Sequence, residues 1–219
     1  MENKNKDYYE SLEGVKEFGN IVPLNPIEKK LIEKYLEGRV LDLGCGGGKT
    51  TNYISKLGCK VIGVDISKPL ILQAKKNFPN LDFREGDACN LQFKENSFDG
   101  VLFSFNGLDC IYPENKRDRA IKEIERVLKP RGIFIFSSHS PSIFALLFRP
   151  FFIYRNIMRR TLSKRYKFEK SKTGGELYLY YESPKEQKKR IEKMTSLKLI
   201  KKFTGRINDV SVYYIFKKI

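Results

Sequence analysis

The sequence predicts an α/β fold: a doubly wound sheet of seven strands, mostly parallel, with an antiparallel C-terminal strand and an inserted cap after the fifth strand. Three observations predict it. From residue 39 to residue 139, short apolar strand patterns alternate with helical patterns. The first of these strands runs straight into a glycine-rich turn, "LGCGGGKT". The chain then ends in two strand patterns around the turn-like "TGRIND", which read as an antiparallel pair completing the sheet. The 219 residues suit one domain with a core of its own, so residues 1–219 are taken as a single domain with the cap, 141–182, inside it.

Taken in order, a helix is expected over about 24–37, with Pro26 in its first turn, Ile27, Leu31, Ile32 and Tyr35 at helical spacing, and Gly38 as its stop. "RVLDL" is nearly all apolar, as in a parallel strand covered on both faces. Thr50 to Leu57 is a helix closed by Gly58, "KVIGVDI" a second strand, and Lys68 to Asn77 a helix with Pro69 at its start. "LDFREGD" gives a third strand and turn, "FDGVLFSF" a fourth. Ala120 to Leu128 continues a helix that begins near Asn115, and "GIFIFSSH" is the fifth strand. Residues 141–173 mix aromatic residues with nine Lys/Arg and one acid. "ELYLYYE" alternates like a strand, and "SPKEQKKRIEKM" is a helix with Ser183 as N-cap and Pro184 in its first position. "LKLIKKF" and "VSVYYIFKK" are the last two strands.

Composition narrows the classes. The longest apolar runs are too short for a spanning helix, and "MENKNKDYYE" has no apolar core of a signal peptide, so a cytoplasmic location without a transmembrane segment is expected. Cys45, Cys59, Cys89 and Cys110 are scattered, which fits reduced thiols better than disulfides or a zinc site, and no metal is expected. The net charge of +16 is uneven. Residues 1–140 carry 22 Lys/Arg against 20 Asp/Glu, whereas residues 141–219 carry 20 against 6. A basic C-terminal third attracts anionic partners (nucleic acid, anionic lipid, or a phosphorylated or carboxylated substrate) or is a set of solvated lysine-rich faces.

The glycine turn separates two chemistries. Gly48-Lys49-Thr50 ends like a phosphate-binding P-loop, but Leu43 stands where that loop needs its first glycine, and loop length fixes the nest of amides around a phosphate. The Gly-x-Gly-x-x-Gly dinucleotide pattern fails too, because Lys49 occupies its third glycine. What remains is Gly44-x-Gly46-x-Gly48 preceded by Asp42. A tight glycine turn lets backbone approach a ligand closely. Asp42 would repel a pyrophosphate and attract an ammonium. Asp65, seventeen residues past Gly48 at the end of the second strand, can accept both hydroxyls of an adenosine ribose. Asp87, after the third strand, can accept from an adenine amino group. Asp65 and Asp87 could instead be solvated strand-end residues.

"VLDLGCGGG", "VIGVDIS", "GDACNLQF", "FDGVLFSF" and "IERVLKPRGIFIF" follow in order, and over roughly 38–138 they resemble the class I S-adenosylmethionine-dependent methyltransferases. The nearest pattern is the small-molecule branch that includes the ubiquinone/menaquinone C-methyltransferases. The resemblance implies a Rossmann-like sheet and S-adenosyl-L-methionine as cofactor, with S-adenosyl-L-homocysteine as product. It places Asp42 and the Gly44–Cys45–Gly46–Gly48 backbone at the methionine part, Asp65 and Ile66 at ribose and adenine, Asp87 and Ala88 at the adenine edge, and Ser104 and Phe105 beside the methionine end. Arg131 departs from the family turn, which usually reads Pro-Gly-Gly.

The acceptor is less legible. The methyl of a sulfonium is already activated, so alignment and exclusion of water are the main tasks, and a base is needed only if the acceptor loses a proton. No Asn/Asp-Pro-Pro-Tyr follows the fourth strand and no Pro-Cys dipeptide exists, which argues against base amino methylation and cytosine C5 methylation. His139 ends the fifth strand at the ligand edge and is the only histidine, a base or a hydrogen-bonded strand-end residue. Asn106 and Asp109 could orient an acceptor or shape a turn. Tyr8 and Tyr9 could belong to a flap over the cofactor or to a frayed tail. The insertion offers Phe144, Leu147, Phe148, Phe151 and Phe152, then Arg155, Arg159, Arg160, Lys164, Arg165 and Lys167. This reads as a substrate lid with an apolar wall and basic rim, a contact with an anionic membrane surface, or an ordinary amphipathic helix. A small-molecule or lipid-like acceptor is the leading expectation. RNA is the alternative partner, through the basic third and its aromatics. A non-catalytic cofactor sensor and a nucleotide hydrolase complete the field.

Overall fold

The computed structural model describes residues 4–139, 166–170, 176–204 and 211–219. Its elements are α1 (Lys4–Glu10), α2 (Leu12–Phe18), α3 (Pro26–Tyr35), β1 (Arg39–Leu43), α4 (Lys49–Lys56), β2 (Lys60–Asp65), α5 (Lys68–Asn77), β3 (Asp82–Glu85), β4 (Phe98–Phe103), a 3-10 turn (Gly107–Cys110), α6 (Glu114–Val127), β5 (Leu128–His139), β6 (Tyr166–Lys170), β7 (Glu176–Tyr180), a C-terminal helix α7 (Pro184–Met194), β8 (Leu197–Thr204) and β9 (Ser211–Lys218).

Seven strands form one sheet in the order β3-β2-β1-β4-β5-β9-β8. β1 pairs in parallel with both β2 and β4, and β9 pairs antiparallel with β5 and β8. The expected sheet, mostly parallel with antiparallel strands at its C-terminal edge, is the observed one. The order reverses between β1 and β4, the switch point at which open α/β sheets bind ligands.

Several helices begin at a side-chain cap, whereas α4 and α6 follow Gly48 and Pro113 without one. The Asn25 side chain accepts the Ile27 N–H ahead of Pro26, Ser67 accepts the Leu70 N–H ahead of Pro69, and Ser183 and Glu186 form a reciprocal capping box. Two apolar layers sandwich the sheet. On one side α6 and α7 bury Ile121, Ile124 and Ile191 against Phe134, Phe136, Tyr214 and Phe216. On the other, Leu31 and Ile32 of α3 and Ile54 of α4 pack on Val40, Leu102, Ile135 and Ile215. β5 starts four residues before its apolar run, and Arg131 inside it takes the left-handed region at φ 67°, so the turn position that departed from the family pattern still has glycine-like geometry.

Two features fall outside the expected layout. The first is α1 and α2: the segment before residue 24 is helical. Ser11 caps α2 by accepting the Gly14 N–H, and Tyr8, Tyr9 and Phe18 pack edge to face. The second is the pairing of β6 with β7 in a separate two-stranded sheet, so the strand read in "ELYLYYE" does not join the main sheet. The insertion's apolar wall (Phe144, Leu147, Phe148, Phe151, Phe152), its residues Arg155, Arg159, Arg160, Lys164 and Arg165, and the turn "TGRIND" beyond Thr204 lie outside the described residues. No helix among the described residues is long and apolar enough to cross a membrane.

Candidate active site

The glycine turn leaves β1 and enters α4 with Gly44, Gly46 and Gly48 at positive φ, 62°, 52° and 85°. Only glycine takes this sequence of conformations without strain. The turn is fixed from two sides. The Cys45 N–H donates to the Val64 carbonyl of β2 (3.1 Å), and the Gly46 N–H donates to Oδ2 of Asp65 (2.9 Å). Gly47 is required for a different reason. A Cβ there would lie 2.2 Å from the Gly19 carbonyl oxygen, because the end of α2 docks on the turn and the Gly47 N–H donates to the Phe18 carbonyl (3.0 Å).

Above the turn lies a cavity of about 450 Å³, a size that holds a cofactor-sized ligand. Of the residues expected at a nucleoside cofactor, Gly44, Cys45, Gly46, Asp65, Ile66, Asp87, Ala88, Ser104 and Phe105 line it. Asp42 and Gly48 stand behind the wall. Asp42 is fully buried, and its Oδ2 accepts both the Thr50 and Thr51 hydroxyls at 2.7 Å, so it meets the cavity through Thr50, which does line it. Burial pushes the Asp42 carboxyl up to about 6 against the lowering effect of the two threonines.

Asp65 is the best-placed acceptor in the cavity. Its carboxylate takes the Ser67 N–H on Oδ1 and the Gly46 N–H on Oδ2, both at 2.9 Å. Burial nevertheless raises its pKa, the amides of Ser67, Gly46 and Ile66 offsetting part of the cost. A ligand bringing hydroxyl donors would supply the remaining compensation. Ser104 is a second unfulfilled group: its hydroxyl is buried, lines the cavity and has no hydrogen-bond partner among the described residues. Asp87 is shaped by its own turn, accepting the Cys89 N–H at 2.8 Å. Lys49, at the start of α4, holds its ammonium 3.7 Å from the centroid of the Phe105 ring.

The roof comes from residues that sequence reasoning largely missed. Asn5, Lys6, Tyr9, Glu17 and Phe18 line the cavity from α1 and α2. Asn5 stitches α1 to the rest: its amide donates to the carbonyls of Cys110 (2.7 Å) and Tyr178 (2.8 Å), and its oxygen accepts the Tyr178 N–H (2.9 Å). Ser67 donates to the Tyr9 carbonyl (3.0 Å), while the Tyr8 hydroxyl donates to Glu17 (2.6 Å). Tyr8 packs with Leu177 and Leu179 of β7, so the inserted hairpin props the roof. Burial, with the Cys110 thiol next, drives the Tyr9 phenol well above its ordinary range. The legible signal was Ser11 followed by helical residues, a cap without a long enough apolar run behind it.

Asn106, Asp109 and His139 do not line the cavity, but the fold brings them together directly behind it. Asp109 is fully buried and accepts the Ser138 hydroxyl (3.0 Å), the His139 N–H (2.7 Å) and a contact from Nδ1 of His139 (3.0 Å). Nδ2 of Asn106 lies 3.1 Å from Nε2 of His139 and donates to Ser211 (3.2 Å).

This geometry has counterparts. Residues 41–136 match the family described as a methyltransferase domain. The chain is 33% identical over 108 residues to a demethylmenaquinone methyltransferase of Paenarthrobacter aurescens, covering 49% of this chain and 41% of that protein. It is 37% identical over 108 residues to a phthiotriol/phenolphthiotriol dimycocerosates methyltransferase of Mycobacterium ulcerans, covering 48% and 38%. The chain thus matches less than half the length of these curated relatives. A SAM-dependent methyltransferase from Methanosarcina mazei shares the fold at TM-score 0.73 and 22% identity, covering 90% of this chain and 99% of that one. Residues 41–136 thus match a methyltransferase-domain family, and the chain shares the fold of a SAM-dependent methyltransferase.

Proposed function

We propose that this chain transfers the methyl group of S-adenosyl-L-methionine to a small-molecule or lipid-like acceptor. The observation that carries the reading is Asp65. A buried carboxylate is anchored by the Gly46 and Ser67 amides and open to the cavity, beside a glycine turn that lets backbone close on the ligand. A ribose diol is the donor pair that suits it. Asp87 and Ala88 take the adenine edge, and Ser104 and Phe105 take the methionine end with the buried Ser104 hydroxyl free to bond it. When bound, the cofactor supplies an activated methyl, and the protein's part is to orient an acceptor and keep water out. The docked roof serves the second task, and the 141–182 insertion acts as the substrate cap that holds it.

An apolar acceptor is supported by the rest of the lining, where Phe18, Phe103, Ile111 and Tyr112 face the cavity, and by relatives named for menaquinone and phthiotriol lipids. Seven lysines of the C-terminal third do not line the cavity. Lys185, Lys188, Lys189 and Lys193 are exposed on α7, and Lys198, Lys201 and Lys202 are exposed on β8 at the sheet edge, with β5 and β9 between β8 and β4. Lysines there protect an open edge strand from pairing.

Calorimetry with S-adenosyl-L-methionine and S-adenosyl-L-homocysteine tests the cofactor. Absence of binding to both would sink the reading. Incubation with the methyl-labelled cofactor and fractionated extract tests the acceptor, with label expected in small-molecule or lipid fractions. Label in RNA that falls steeply as salt rises would transfer the reading to an RNA methyltransferase.

A further inference from the structure

We propose that His139 takes up the proton the acceptor releases, and that the acceptor is therefore a weakly acidic hydroxyl or carbon acid, such as a phenol or an enol. The inference rests on the methyl-transfer reading and deepens it. An ionised carboxylate only accepts, so the 3.0 Å contact between Asp109 and Nδ1 fixes the proton on Nδ1 and leaves the lone pair on Nε2. Among the described residues, the two oxygens of Asp109 accept hydrogen bonds from the Ser138 hydroxyl and from the backbone and ring nitrogens of His139. A fully buried carboxylate so placed stabilises an imidazolium once the ring gains a proton.

Asn106 completes the arrangement. Its Nδ2 covers the Nε2 lone pair, whereas its Oδ1 is buried without a hydrogen-bond partner among the described residues. Only one edge of the amide is therefore fixed. Turned by half, it would present Oδ1 to an Nε2–H and accept from the Ser211 hydroxyl, which can act in either sense. The shell thus accommodates both charge states of the ring, which a purely structural strand-end histidine does not require. Phe105 and Asn106 sit in succession at φ 51° and 56°, backbone strain of the kind that collects at working sites. Ser104, Phe105, Gly107 and Cys110 line the cavity on either side of Asn106 and Asp109, so the pair lies one layer behind the wall. The Tyr181 ring packs 5.4 Å from the imidazole, and Tyr214, near the charges of Asp109, Arg117 and Glu182, backs the cluster.

In the step, the acceptor's electron pair forms the bond to the methyl carbon. The carbon–sulfur bond breaks with its electrons going to sulfur, which becomes a neutral thioether. The acceptor's proton passes to Nε2 as the Asn106 amide turns aside, leaving an imidazolium against Asp109. Atoms and charge balance without a further reactant.

His139 is the only histidine, so histidine-labelled protein gives a single imidazole in nitrogen NMR. The Nδ1–H tautomer should dominate, and Asp109→Ala should shift the ring toward Nε2–H. Asn106→Ala should raise the rate at which diethyl pyrocarbonate modifies His139 several-fold. With labelled cofactor and extract, His139→Gln should incorporate about a hundredfold less label while calorimetric cofactor binding stays unchanged. A dominant Nε2–H tautomer, or equal labelling by His139→Gln, overturns the proposal. Loss of cofactor binding by the unaltered protein would instead remove the methyl-transfer reading, and the tautomer result would still stand.

Discussion

The two halves of the sheet build their chemistry in opposite ways. On the β3-β2-β1-β4 side, each polar group of the site sits at the end of its own strand: Asp42 in β1, Asp65 ending β2, Asp87 just past β3 and Ser104 just past β4. On the β5-β9-β8 side, the polar cluster is assembled from distant pieces, Asp109 and His139 being 30 residues apart and Asn106 and Ser211 being 105. The first half sets its polar side chains on strand ends around a glycine turn and so depends on glycine geometry. The second works by side chains and tolerates change wherever those side chains are not involved.

The largest test of this contrast is Gly47→Ala. Its Cβ would strike the Gly19 backbone, so the roof must lift from the turn. A loss of about 3 kcal/mol in stability is expected, read by denaturant unfolding. A loss below about 0.5 kcal/mol would mean that the roof is not docked as described.

Next comes the pH dependence of Asp42. Its folded-state pKa is raised from 3.8 to about 6, so the native state holds a proton that the unfolded state has released. This group's contribution is then present below about pH 4 and lost as pH rises to about 6, amounting to about 2–3 kcal/mol. Asp42→Asn should remove that part of the ligand-free stability profile. Identical slopes in the two proteins would show that the carboxylate is better solvated than its burial implies.

Asp65→Ala should weaken cofactor binding by about 2 kcal/mol in calorimetry, through the lost ribose contact and the freed Gly46 amide. Unchanged affinity would remove its assigned role. The other half should respond less. Arg131→Gly relieves a left-handed backbone and should raise stability by about 1 kcal/mol without touching cofactor affinity. Smallest of all, Lys198→Ala and Lys201→Ala, exposed on β8, should each stay within about 0.5 kcal/mol in melting experiments. A large drop in labelling from either would bring the basic edge back as a substrate contact.

What could be read from the sequence follows the same division. Four of the five parallel strands were legible as apolar runs between turn residues, while β3, Asp-Phe-Arg-Glu, was legible from its place in the alternation; the glycine turn was legible because Leu43 and Lys49 break the competing patterns. Asp65 was legible because its distance from the turn is set by one helix and one strand. The hydrogen bond between Asp109 and His139 was not, since no local pattern records which strand end faces which turn. Nor was the role of Gly47, whose neighbour Gly19 lies on an element that the apolar periodicity hardly marks. α1 and α2 are seven residues each and are held by tertiary contacts more than by propensity.

The bond from Asn5 to Tyr178 joins residues 173 positions apart. Loops of that size close late, after the local strand–helix units have formed. The prop under the roof therefore closes late, although α2 itself docks on the glycine turn, which follows it closely in the chain. A chain halted before β7 can form the glycine turn and the Asp65 shelf but not a closed chamber. Cofactor affinity thereby becomes a report on whether folding has reached its end.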